Sequence, residues 1–433
     1  MSTIARGTLI GLGTRVTAIA LGLLITVLTA RIGTAAQGQF ALLMSIESLL
    51  LATFSGFGVA LARRVSHGGA HPREIVGATL WTCSLLGGAC AVVLIGLSLA
   101  STGAYASLWI LALSAPVLLL PGNLSGVWLG QGRMWPIGIV TIAGPMLTLT
   151  FFLAASWLVD PSPTMSPIVA MLMSWALAKL VVGLFVLVRF WSVAVLGRPD
   201  WSAVRSDASF IIVIGLTNLV GLMNYRVDLF LVEHFLGLVP TGVYSIAVMV
   251  AELLWLISSA VTQAAYARIG TPDRDVAAKF VVRIVHANLT VLLLVAPLLL
   301  FAAWFVLPWL LGPAYVDAPA FLAVLLPGVL AYGAASPLSA YFTNHAKRPW
   351  VPAIVAALSL GINVALSFVL IPRVGVIGGA VATTVSYVIS VIVMMTIFAR
   401  HARISAAVLV KPDLRDMGRS ALALCPILRR QRT

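Results

Sequence analysis

Six charged side chains interrupt long apolar stretches of this sequence: Arg15, Glu47, Lys179, Arg226, Asp228 and Glu252. A charge at the centre of a bilayer costs about 2.5–3.5 kcal/mol on insertion scales, so such residues face a partner or a water-filled path. Arg226 and Asp228 are two positions apart, project to different sides of a helix and do not neutralise each other directly. Glu47 and Glu252 are each placed to pair with a cation on a neighbouring helix, Arg15 with Glu47 for example, or to carry a proton. Arg15 lies only about 9 Å inside its helix at 1.5 Å per residue, so snorkelling to the membrane surface competes with a cavity-facing role. Asn363 and Ser367 add an oxygen-bearing pair on one helical face, four residues apart. Other chemistry has no signature. There is no P-loop and no GxSxG, the histidines are dispersed, and no His/Cys cluster has metal spacing. ATP is therefore not hydrolysed by this chain. Cys83 and Cys90 read as packing residues, and Cys425 sits in the tail.

The elements that must position these charges are membrane helices. The 433 residues are 61% hydrophobic and 9% charged, against roughly a quarter charged in soluble domains. Runs of about twenty apolar residues span a bilayer. The sequence predicts an all-α membrane protein of twelve such helices, over 9–30, 37–62, 76–99, 108–130, 135–158, 166–188, 207–232, 239–264, 284–310, 319–343, 350–371 and 375–399. Leu9 to Ala30 is longer than the apolar core of a secretion signal, contains Arg15 and is followed at once by another apolar run. It reads as the first span despite Thr34-Ala35-Ala36.

Basic residues orient the chain. With the N-terminus in the cytoplasm, 22 of the 27 Lys and Arg fall on the inner side, eight of them beyond residue 399, while only Arg31 and Arg373 lie outside. That bias places both termini in the cytoplasm, in the inner (cytoplasmic) membrane. It also accounts for the net charge of +14 without nucleic acid. The outer loops are short, and the longest cytoplasmic connections, 189–206 and 266–283, could not fold alone. An enzyme of surface-sugar assembly would need a larger loop or domain, so no enzyme is expected.

An internal repeat divides the spans. Gly33-x4-Gly38-x-Phe40 recurs as Gly237-x4-Gly242-x-Tyr244, and the same offset of 204 pairs Leu49-Leu50 with Leu253-Leu254. Glu47 and Glu252 then fall at nearly matching positions. The basic turn Gly132-Arg133 has a counterpart in Lys347-Arg348. The expected organisation is two six-helix lobes related by a parallel repeat: 1–188, a cytoplasmic linker 189–206, a second lobe 207–399, and a basic tail 400–433. Two such lobes are a transporter architecture.

Several segments carry a family resemblance: Gly11-Leu-Gly-Thr-Arg15, Thr29-Ala-Arg-Ile-Gly33, Gly38-Gln-Phe40, Ser55-Gly-Phe-Gly58 and Ala60-Leu-Ala-Arg63 early in the chain, then Asp228-Leu-Phe-Leu-Val232 and Gly242-Val-Tyr-Ser-Ile-Ala247. The most specific stretch runs from Asn363 through Pro372, Gly375 and Thr383 to Tyr387. Together they resemble the Wzx-type polysaccharide-biosynthesis flippases of the multidrug/oligosaccharidyl-lipid/polysaccharide exporter superfamily. The resemblance implies alternating access and movement of a polyprenyl-diphosphate-linked oligosaccharide to the outer leaflet for surface polysaccharide assembly. Polysaccharide polymerase, glycosyltransferases and membrane lipids are the expected partners. Relatives include multidrug antiporters and lipid II flippases, the latter usually with two more C-terminal helices, for which this sequence has no apolar runs.

A doubly anionic diphosphate needs fixed cations in place of its hydration, and the planar fork of Arg binds phosphate bidentately. Arg15, Arg226 and Lys179 are the candidate headgroup residues, and Glu47 and Glu252 serve pairing or coupling. No cofactor is expected beyond a coupling ion, Na+ or H+. Asp228, Asn363, Ser367 and Thr383 are the candidate sodium ligands by the resemblance, although a second carboxylate would be expected near Ser367. Interhelical hydrogen bonding is the competing role for them. A cation antiporter on the same fold and a non-transporting scaffold for polysaccharide assembly are the rival functions.

Overall fold

The computed structural model describes residues 3–66, 72–158, 166–196, 199–405 and 407–410. Among them every regular element is helical, and twelve helical stretches are long and apolar enough to cross a membrane. The all-α membrane class read from hydropathy is the observed one. By internal contacts the chain divides into two compact units, Met1–Leu222 and Met223–Thr433.

The first unit contains α1 (Thr3–Ile32), α2 (Thr34–Phe54), α3 (Gly56–Ser66), α4 (Pro72–Ala100), α5 (Leu108–Gly130), α6 (Met134–Leu158), α7 (Pro167–Leu196), α8 (Trp201–Ser206) and the first half of α9 (Ala208–Leu236). The second takes the rest of α9, then α10 (Leu238–Ile269), α11 (Arg274–Leu311), α12 (Ala318–Ala334), α13 (Ser336–Ala340), a π-helical turn Tyr341–His345, α14 (Trp350–Val374), α15 (Val376–Ala402) and α16 (Ala407–Val410). In the first unit Phe40, Leu43, Leu111 and Trp175 pack in one core, and Leu80, Leu120, Leu124 and Val186 in another. In the second, Val281, Leu338, Tyr341 and Phe398 form the corresponding apolar centre.

Helix occupies most of the two expected connections. Residues up to Leu196 continue α7, α8 follows at Trp201, α10 runs on to Ile269, and α11 starts at Arg274. The reason is that Lys and Arg end an apolar run without ending a helix, for which both have good propensity. Asp273 starts α11 by accepting the backbone N–H groups of Asp275 and Val276 at 2.8 and 3.0 Å. Asp200 does the same for α8 through Ser202 and Ala203. The Ser202 hydroxyl foremost, then the Ala203 N–H, hold the Asp200 carboxyl below its ordinary range. Arg64 donates to Asp207, to the Ser206 hydroxyl and to the Ala203 carbonyl, fastening α3 to α8 and the start of α9. The Asp207 hydrogen bond raises the guanidinium above its ordinary pKa.

The glycines singled out by the repeat share a role. Gly33 (φ 151°) precedes α2 and Gly237 (φ 82°) precedes α10, each in a conformation that only glycine adopts freely. Phe40 and Tyr244, seven residues on, are buried in their own units. Pro116, Pro145 and Pro327 lie within α5, α6 and α12, and Pro337 opens α13. The basic tail lies mostly outside the described residues, including Cys425 and everything after 410.

A break at Ser55 separates α2 from α3, and just beyond it the backbones of α3 and α5 nearly touch. The Asn123 Oδ1 accepts the Gly58 N–H at 2.9 Å. A methyl group added at Gly126 would stand 2.3 Å from the Gly58 carbonyl oxygen. Small residues permit such approach in membrane helices, where van der Waals packing and interhelical hydrogen bonds hold helices together. Gly126→Ala is therefore expected to cost about 1–3 kcal/mol by overpacking. Thermal unfolding in detergent checks this, with Gly122→Ala, which has open space, as the control. Equal midpoints for the two variants would contradict the packing described.

Candidate functional site

In the first unit α2 carries Glu47 and α7 carries Lys179, and the structure joins them. The Lys179 ammonium stands 2.8 Å from the Glu47 carboxylate, whose side chain is 4% exposed against 27% for Lys179. Sequence spacing offered Arg15 as the partner of Glu47; the ion pair observed is with Lys179. The pair lines a cavity of about 490 Å³, with Ser55, Asn123, Thr141 and Pro145 among its other walls. Lys179 is the more open of the two charges, so its ammonium is the group a ligand in this cavity can reach, with Glu47 behind it. Arg15 lies on an exposed face of α1 and is not among the residues lining this cavity.

In the second unit α9 and α10 hold a bidentate fork. Arg226 donates through both terminal nitrogens to the two oxygens of Glu252, each at 3.1 Å. Both are about a quarter exposed. Asp228, two residues along α9, turns to other partners, as that spacing requires. Its Oδ2 accepts from Tyr244 at 2.7 Å and from Thr383 at 3.2 Å, and its Oδ1 from the Leu229 N–H at 2.9 Å. The chain continues: Asn363 donates to the Thr383 hydroxyl at 3.3 Å, and Ser367 donates to the Asn363 Oδ1 at 3.0 Å. All four residues proposed as sodium ligands are thus buried and linked in one string across α9, α14 and α15.

That donor set fits a monovalent cation in kind, because it offers hard oxygens and one carboxylate. The same oxygens are already engaged with one another, so the string is complete as an interhelical hydrogen-bonded strut. Among the described residues no group of three His, Cys, Asp or Glu could hold a metal ion.

Sequence reasoning missed an aromatic cluster in the second unit, Tyr225, Trp255, Tyr332 and Tyr387. Two signals were available. Trp255 follows Glu252 by three positions and Tyr387 follows Thr383 by four, which places each on the helical face of a residue already singled out. Tyr244 was read only as part of the repeat, yet it makes the shortest hydrogen bond to Asp228.

No family profile matches the sequence, and no curated protein matches it significantly. Solved structures do. An inward-facing multidrug resistance MATE family transporter of the MOP superfamily is similar over 92% of this chain and 96% of its own, with a TM-score of 0.72 at 14% identity. The lipid II flippase MurJ in an inward closed conformation is similar over 98% of this chain and 93% of its own, with a TM-score of 0.71 at 14% identity. A MOP superfamily transporter from Pyrococcus furiosus, described by the reverse polarity of its binding pocket, matches with a TM-score of 0.56, also at 14% identity, over 95% of this chain and 96% of its own. The fold is that of the MOP superfamily transporters.

Proposed function

We propose that this protein is a membrane transporter that moves a polyprenyl-diphosphate-linked oligosaccharide across the cytoplasmic membrane by alternating access, in surface polysaccharide assembly. The observation that carries this reading is the Lys179–Glu47 pair on the wall of a cavity of about 490 Å³. A lone ammonium in that setting would be costly when no ligand is bound, and Glu47 neutralises it. A diphosphate, with more charge and more acceptor oxygens than a carboxylate, competes for the same ammonium. Arg15, elsewhere in the first unit, and Arg226, in the second, are separate candidate cations for an anionic cargo, and Arg226 must loosen from Glu252 to serve. Glu47 and Glu252, each paired with a cation, are the sites where a proton could couple. The likeness to a lipid II flippase supports a lipid-linked cargo, and the two compact units within one chain suit alternating access. Polymerase and glycosyltransferases are the proposed partners.

The second reading is a cation antiporter, favoured by the Glu47 carboxylate in the same cavity and by the likeness of fold to a multidrug resistance transporter. Reconstitution in liposomes separates the two. A fluorescent polyprenyl-diphosphate saccharide should become accessible to an external quencher with the native protein present. Movement of a cationic dye against a gradient, with no lipid moved, would replace the first reading by the second. Movement of neither the lipid nor the dye by the correctly folded native protein would point to a non-transporting scaffold.

A further inference from the structure

The first unit holds a second hollow, a groove of about 290 Å³ walled by α5, α6 and α7. Ala176 and Ser174 are buried at its base, whereas Leu113 and Leu177 are exposed at its rim. Small residues, Ala155 and Ala170 among them, leave recesses between long side chains such as Phe151. Ser174 is the one polar side chain among the described residues that line it, and its hydroxyl donates to the Ala170 carbonyl at 2.7 Å. The groove therefore presents no free hydrogen-bond donor and an almost wholly apolar surface.

The groove draws on three of the four helices that wall the Lys179–Glu47 cavity. On α6, Gly144 borders the cavity, and Phe151 and Ala155, seven and eleven positions further on, border the groove. Those spacings put all three on one face of the helix. Between them lies Thr148, buried, with its hydroxyl on the Gly144 carbonyl at 2.9 Å. On α7, Ala176 of the groove precedes Lys179 of the cavity by three positions and shares its face. At 1.5 Å per residue, Phe151 stands about 10 Å along α6 from Gly144, a span that the first isoprene units of an extended lipid diphosphate cover.

The lining decides the class of ligand. A sugar, a peptide or a cation would leave its polar groups unpaired here, which is costly, whereas a hydrocarbon chain meets no such penalty. Two features favour an isoprenoid chain over the straight chains of bilayer phospholipids. Recesses at the alanines, set between long side chains, suit the methyl branches that an isoprenoid carries at regular intervals. A chain whose diphosphate is held at Lys179 is also presented to the groove at high effective concentration, while a phospholipid keeps its phosphate at the membrane surface.

We propose that this groove is the subsite for the isoprenoid chain of the cargo, holding the units that follow the diphosphate while the diphosphate is at Lys179. This rests on the lipid-linked oligosaccharide reading. The test is binding of sugar-free diphosphates to the solubilised full chain: geranyl diphosphate with two isoprene units, geranylgeranyl diphosphate with four, and a straight-chain diphosphate of the same carbon number as the latter. Four units should bind at least tenfold more tightly than two, and at least fivefold more tightly than the straight chain. Ala155→Phe fills the groove and should bring the two isoprenoids within twofold of each other. Ala154→Phe, at an exposed position of the same groove, takes its place if Ala155→Phe does not fold. Equal affinity for two and four units, a gain that persists in the filled variant, or a straight chain bound as tightly overturns the proposal.

Photolabelling decides the matter should the native protein bind no diphosphate. Farnesol carrying a diazirine reports on the groove apart from the diphosphate site. Its label should fall on the peptides around Phe151 and Leu177, be displaced by farnesol and not by hexadecanol, and be lost in the filled variant. That pattern supports the groove and leaves only the diphosphate site refuted. Label elsewhere, or equal displacement by hexadecanol, overturns the proposal.

Discussion

Lys179→Ala is expected to destabilise the protein by about 3–5 kcal/mol, the range for stranding one member of a buried ion pair. The Glu47 side chain is 4% exposed, so the carboxylate left behind has almost no water to replace the ammonium at 2.8 Å. Contrast Arg274 and Asp275, 3.5 Å apart with side chains 39% and 72% exposed; an exposed pair of that kind contributes about 0–1 kcal/mol. Removing both charges at Lys179 and Glu47 together should recover most of the loss, because buried pairs replaced by apolar groups of similar volume are often neutral. The double variant Lys179→Met/Glu47→Leu is therefore expected to unfold within about 1.5 kcal/mol of the native protein, the usual cost of a volume-conserving exchange. Thermal unfolding of the three proteins in one detergent measures this. A Lys179→Ala midpoint equal to the native one would mean that Glu47 does not depend on Lys179.

Sodium coupling at Asp228, which requires the string to open and admit the ion, predicts a higher unfolding midpoint in sodium than in choline at equal ionic strength for the native protein and no difference for Asp228→Asn. The expectation follows from the string of Asp228, Thr383, Asn363 and Ser367, the charge of which resides in Asp228 alone. Binding to the folded state at a hundred times Kd adds about 2.7 kcal/mol, an effect of several degrees. Asn keeps the shape of Asp228 and removes its charge; its one acceptor oxygen can still serve the hydroxyls of Tyr244 and Thr383, while the Leu229 N–H loses its side-chain acceptor. Asp228→Ala is harsher: it takes away the acceptor of two hydroxyls and of the Leu229 N–H, hydrogen bonds of the charged kind that contribute about 1.5–3 kcal/mol apiece. Equal midpoints in sodium and choline for the native protein would remove sodium from the coupling scheme and leave the string as an interhelical strut.

Hydropathy alone made the membrane class and the twelve spans legible, because twenty apolar residues in a row have few other uses. Helix ends were less so. Residues such as Arg268, Arg274 and Lys279 stop the apolar run while the helix itself continues or has already begun. The six intramembrane charges were visible as such, and the partition of Arg226 and Asp228 to different partners followed from their spacing. Their partners were not. Glu47 and Lys179 are separated by more than a hundred residues, and nothing local to either says that α2 and α7 bring them together. The pairing of Arg226 with Glu252 links adjacent helices and lay closer to hand. The Asn363 and Ser367 pair was readable from the i, i+4 rule, whereas its connection to Asp228 depended on the family resemblance. The aromatic quartet was hidden by its scatter over four helices, since each ring in isolation looks like ordinary core.

The most direct test of the central claim is lipid flipping in liposomes by the native protein and by Lys179→Met/Glu47→Leu, reconstituted at equal amounts of folded protein. The cavity remains about the same size in the double variant and loses its charge. The expected result is movement of polyprenyl-diphosphate saccharide by the native protein and at least a tenfold slower rate in the variant. Equal rates in the two proteins, at equal folded content, would contradict a cavity that carries the diphosphate on Lys179.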